Sequence, residues 1–157
     1  MTPDPMADLV RWFGEQLDAD ERIARAATSG PWWYNPGKQW LGPDAFEKYD
    51  LRQGEEFVGY GGPHPFTGAV AATGPANNPQ SMRDAAFIAA WDPARVLREI
   101  DDDRELVKTY AAAQEIVDAL AHPDMYDVGR AQGLEEAVRR RSLAFSARPG
   151  YREEWKP

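Results

Sequence analysis

The chain has 157 residues, with 18 Lys and Arg against 26 Asp and Glu, a formal net charge of −8, and no cysteine. A chain of this size buries about 68–70% of its unfolded surface, so one domain forms without a disulfide or metal staple. Without cysteine there are no disulfides, thiolate zinc sites or cysteine nucleophiles, and the acidic balance argues against general nucleic-acid binding, which needs a Lys/Arg surplus.

The opening "MTPDPMADLVRWFGEQLDADERI" lacks the basic and apolar regions of a signal peptide, so none is expected. It reads instead as a helix: Asp4 at the N-cap, Pro5 at the first helical position, then Leu9, Phe13, Leu17 and Ala24 at helical spacing until "TSG" stops the run.

From Pro31 to Pro79 glycine and proline become frequent, and short aromatic or β-branched runs appear. "PWWY" and "KQWLG" flank the turn-like "NPG", and "EEFVGY" and "TGAVAAT" flank "GGPHPF". Two small hairpins or a three-stranded meander are expected, with a helical turn over "PDAFEKYDL" between them.

Ser81 to Asp84, "SMRD", matches a capping box, with Ser81 as cap. The short helix that follows carries Phe87, Ile88 and Trp91 on its apolar side. It should end at or before Asp92, because a residue preceding proline is pushed out of helical ψ. Asp92 then caps the next helix and Pro93 opens it, so the Asp-Pro is a corner and not an acidic site.

A long helix is expected from Pro93 to about Ala121, about 44 Å at ~1.5 Å per residue. Val96, Ile100, Val107, Tyr110, Val117 and Ala121 form its seam, interrupted by Asp103 and Gln114, while Asp101, Asp102 and Asp103 read as a solvated face. "AHPDMYDVGRAQG" is read as a break, followed by a helix near 134–147. Arg130 to the end is basic, seven cations against four anions, and is expected to fold back on the acidic helices. In "PGYREEWKP", Tyr151 and Trp155 at i, i+4 are expected to share one face and dock the tail.

Chemistry is sparse. The histidines, His64 and His122, make no metal motif, and no serine sits in a nucleophile elbow, so neither a metal nor a catalytic residue is assigned and no cofactor is implied. "GYGGPHPFTG" has the composition of a phosphate loop but precedes strand-like residues, which favours a turn. Trp32, Trp33, Tyr34 and Trp40, with His64, are the candidate ligand or partner surface, since four large rings on one short turn cannot all face inward.

"DLVRWFGEQLDADERIARAA", "DAAFIAAWDPARVLREI" and "LAFSARPGYREEWKP" together resemble a family of uncharacterised actinobacterial and actinophage proteins known only as a domain of unknown function. Relatives often carry a His-Ile-Ala-Arg-His run before the Asp-Pro, where this chain has Phe87 and Trp91, and many carry cysteine pairs absent here. The resemblance implies a small accessory protein of an actinobacterial or phage cytoplasm. It implies no reaction, and any metal function of those relatives does not transfer.

The expected fold is α+β: an N-terminal helix, a small antiparallel sheet of two to four short strands, a long central helix and a C-terminal helix with a docked tail. It forms one domain, 1–157, with a helical lobe (4–30 and 81–157) and a β-rich insertion (31–80). The expected role is protein–protein interaction, including self-association, in the cytoplasm and away from membranes. The alternatives are an aromatic-lined pocket for a nucleotide or metabolite and, last, acid/base chemistry at His64. Asp92, Pro93, Tyr151 and Trp155 are expected to be structural.

Overall fold

The computed structural model describes residues 4–34, 55–61 and 68–157. Among these, α1 (Pro5–Ala26), β1 (Trp32–Tyr34), β2 (Glu55–Tyr60), β3 (Gly68–Pro75), α2 (Pro79–Ala90), α3 (Pro93–Ala119) and α4 (Met125–Ser142) follow in order, with 3-10 turns at Leu143–Phe145 and Glu153–Trp155. The fold is α+β. Trp40, His64 and the helical turn expected over "PDAFEKYDL" lie outside the described residues. The chain divides into two compact units: Met1–Arg22 with Arg98–Pro157, and Ile23–Leu97.

The first unit is helical. Asp4 caps α1, its Oδ1 accepting the Met6 N–H at 2.9 Å. Met6, Leu9, Phe13 and Leu17 recur at three- and four-residue steps and are all buried, each contributing about 1.5–3 kcal/mol. α3 turns Ile100, Asp103, Tyr110 and Ala113 inward.

Asp103 does not belong to a solvated face. It is 5% exposed and holds the Arg141 guanidinium of α4 in a two-pronged pair, Nε to Oδ1 at 2.6 Å and the terminal nitrogen to Oδ2 at 2.8 Å. Those bonds raise the Arg141 pKa against the opposing effect of burial. The basic end is thus used within the chain: Arg148 pairs with Asp20 at 2.8 Å and Arg152 with Asp8 at 3.0 Å. Arg104, on α3, reaches both Asp18 and Glu21 of α1 at 2.6 Å.

α4 starts earlier than expected. Asp124 accepts the Asp127 N–H at 2.9 Å and caps it, so "MYDVGRAQG" is helical despite two glycines. The break is confined to residues 120–124. The tail then docks on α1. Trp155, 1% exposed, and Tyr151 each lie 5.4 Å from the Trp12 ring, and 5.7 Å from each other. Gly150 makes the turn at φ +87°, and a Cβ there would lie 2.9 Å from Trp12 Nε1.

The second unit holds a three-stranded antiparallel meander, β1-β2-β3. Trp33 pairs with Gly59 and Phe57 with Ala72, and two bulges in the β2–β3 ladder interrupt the alternation. β2 buries Glu56, Phe57, Val58 and Gly59 in succession. α2 packs on all three strands. Its cap is Asn78, not Ser81: Asn78 Oδ1 accepts the Gln80 N–H at 3.0 Å and Pro79 takes the first helical position. Asn-Pro outcompetes the capping box because Pro79 has no N–H to satisfy. Ser81 lies inside the helix, buried, its carbonyl accepting the Thr73 hydroxyl at 2.7 Å.

Candidate functional site

Of the aromatic group on β1, Trp33 is part of the core. It stacks edge-on to Phe57 at 5.6 Å, and its ring lies where a Cβ on Gly59 would come within 2.6 Å. Trp32 and Tyr34 are half-buried. Trp32 is tied at both ends of its residue: the backbone N–H donates to Asp92 Oδ2 at 3.3 Å, and the indole N–H donates to the Thr28 carbonyl at 2.9 Å. Trp33 is thus part of the core of the second unit, and Trp32 is held at two points.

Asp92 sits where α2 ends and α3 begins. Its Oδ1 accepts the Arg95 N–H at 2.8 Å, and its backbone carbonyl accepts the Val96 N–H at 3.1 Å. The same carboxylate therefore caps α3 and anchors the start of β1. Gly30 is close-packed against it, since a Cβ at position 30 would lie 2.6 Å from Asp92 Oδ2. Pro93 is buried. Both carboxylate oxygens and the carbonyl of Asp92 accept backbone N–H groups.

The exposed surface lies beside that corner, and the sequence expectation put it inside. Phe87 is 66% and Trp91 42% exposed, with ring centroids 6.0 Å apart. The inward face of α2 is instead Ser81 and Ala85, small side chains that let the helix lie close on the sheet. The larger residues are left for the opposite face.

Arg95 lays its guanidinium over the Trp91 ring at 3.9 Å and donates to the Ala90 carbonyl at 3.2 Å. This cation–π contact holds the indole in one orientation. Arg83, one turn before Phe87, is exposed and makes no ion pair among the described residues. Arg83, Phe87, Trp91 and Arg95 thus follow at four-residue intervals, two rings between two cations.

Among the described residues no cluster of three or more His, Cys, Asp or Glu is arranged to hold a metal, and no helix is long and apolar enough to cross a membrane. Neither curated proteins nor solved structures give a match. A family model does, over residues 6–157, described as a family of unknown function (DUF6221).

Proposed function

The chain belongs to the DUF6221 family, whose function is unknown, and from that premise we propose that it is a protein-binding module whose α2 face receives an apolar segment flanked by acidic residues. The observation that carries this reading is the Phe87–Trp91 pair, exposed yet held by Arg95. Trp and Arg dominate the few residues that supply most interface energy, and a pre-oriented ring loses little entropy on binding.

The charges support a partner of different sequence over a second copy. A two-fold axis crossing α2 midway between Phe87 and Trp91 would set Arg83 of one chain near Arg95 of the other, two like charges at close range. An acidic flank on a different protein meets both arginines favourably, and the net charge of −8 on this chain adds repulsion between copies. A small accessory protein acting by recognition fits this chemistry.

The test is quantitative capture from the producing cells with three baits: wild type, Phe87→Ser with Trp91→Ser, and Arg83→Glu. The expected result is a partner lost with the ring variant, weakened with the charge variant, and released by salt. Capture unchanged by both variants overturns the reading. So does sedimentation showing that purified wild type self-associates and the ring variant does not, which would make a second copy the occupant.

A further inference from the structure

In the first unit, Asp103 of α3 and Arg141 of α4 pair at equal sequence distance on either side of His122. The two helices therefore run back against each other, and residues 120–124 join them at a tip. That connector spans at most about 20 Å, at ~3.3–3.6 Å per residue, so the end of α3 and the start of α4 share one end of the hairpin. Of the seven large apolar side chains exposed among the described residues, four belong to this end. Ile116 and Leu120 stand one turn apart where α3 finishes, and Met125 and Tyr126 open α4. Met125 is 93% and Tyr126 74% exposed. Single apolar side chains on a surface are ordinary; four gathered at one tip mark a contact surface.

Charge then selects the occupant. Glu115, Asp118, Asp124 and Asp127 are interleaved with the four apolar residues, and no Lys or Arg stands between Lys108 and Arg130. Asp118 accepts from the Gln114 amide and Asp124 from the Asp127 N–H, each at 2.9 Å. Both donors are neutral, so they leave the negative charge of the tip uncompensated. The fringe is opposite in sign to that of the α2 face, where Arg83 and Arg95 flank the rings.

We propose that the tip of the α3–α4 hairpin docks a basic amphipathic segment of another protein. The apolar side of that segment covers Ile116, Leu120, Met125 and Tyr126, and its lysines or arginines meet the surrounding carboxylates. Apolar contact supplies the affinity, and the acidic fringe supplies the choice of partner. The unbranched Met125 side chain adapts to the shape that arrives. An anionic membrane meets the tip with like charge, and so does the same tip on a second copy. The basic α2 face of a second copy has the right sign, but a net charge of −8 on each chain opposes that encounter. The site is independent of the one on α2 and does not rest on it.

The probe is a fluorescein-labelled helical peptide with leucine on one face and lysine on the other. One control replaces every leucine by serine, the other every lysine by glutamate. Fluorescence anisotropy gives the affinity for the full chain, and backbone amide NMR shifts give the location. The leucine–lysine peptide should bind saturably and shift Ile116, Leu120 and Tyr126, and neither control should shift them. Affinity should fall about tenfold or more in Met125→Ser with Tyr126→Ser. It should also fall, and lose salt dependence, in Glu115→Gln with Asp118→Asn. All four replaced residues are exposed, so neither variant disturbs the core. Phe87→Ser with Trp91→Ser should bind the peptide as wild type does, which keeps this outcome apart from that of the α2 face. Equal binding of the leucine-free peptide, affinity unchanged in both tip variants, or binding lost with the Phe87 and Trp91 variant overturns the proposal. So does self-association of the purified protein that Met125→Ser with Tyr126→Ser abolishes, which would make a second copy the occupant.

Discussion

The indole N–H of Trp12 donates to the carbonyl oxygen of Pro149 at 3.0 Å, joining positions 137 residues apart in sequence. Trp12, Tyr151 and Trp155 close into a triangle of rings over that bond. Truncating a buried aromatic removes its transfer free energy and leaves a cavity, so Trp155→Ala should lower stability by about 3–5 kcal/mol. Removing residues 149–157 should lower the melting temperature by several degrees. Urea unfolding and a thermal melt measure both; a melt unchanged by the truncation would mean the tail adds nothing to the fold.

Asp92 serves two elements with one carboxylate. Asp92→Ala should lower stability by about 0.5–2 kcal/mol through the lost cap, and Asp92→Asn should recover the part owed to the cap, because its amide oxygen still accepts the Arg95 N–H, but not the bond from the Trp32 N–H. Chemical denaturation of the two variants side by side decides the matter. A larger loss in Asp92→Asn than in Asp92→Ala would contradict the capping role.

The Arg141–Asp103 pair is asymmetric, because the Arg141 side chain is half exposed and the Asp103 side chain is 7% exposed. Arg141→Ala leaves a buried carboxylate without its donor and should cost about 1–3 kcal/mol. Asp103→Leu releases an arginine that water can solvate, and should come out near neutral or better. The order of the two denaturation midpoints is the readout.

Tyr110 makes alkaline stability directional. Its folded pKa is raised above the ordinary tyrosine value of about 10, by burial first and by Glu135, Asp4 and Asp118 after it. Above that pH the unfolded chain loses the proton sooner, so stability is level below pH about 10 and falls as pH rises through the folded value. Tyr110→Phe should flatten that fall. Absorbance titration near 295 nm should show one tyrosine ionising later in wild type than in the variant.

Elements set by local chemistry were legible in the residues. Asp4-Pro5 and Asp92-Pro93 announce helix starts by combining a capping carboxylate with a residue that has no N–H to lose. What escaped depended on which neighbour arrives from far along the chain. Asp103 reads as one of three consecutive aspartates, and only the approach of Arg141 from α4 turns it inward. Phe87 and Trp91 read as a core face because hydrophobic periodicity gives a stripe but not its direction. The sheet chose the small side, Ser81 and Ala85, since that allows closer approach. Asn78 competes in the sequence with a capping-box pattern that starts three residues later and matches as well.

The docked tail has a consequence for how the chain is made. α1 leaves the ribosome well over a hundred residues before the rings that cover Trp12, those of Tyr151 and Trp155. Phe13 likewise waits for Phe145, which meets it edge-on at 5.4 Å. Until residues 145–155 have been made, the apolar stripe of α1 has none of these partners, and contacts this distant in sequence form slowly. The N-terminal helix is therefore a nascent-chain liability, and a ribosome stalled anywhere before residue 145 displays an uncovered hydrophobic face for chaperones and proteases to find.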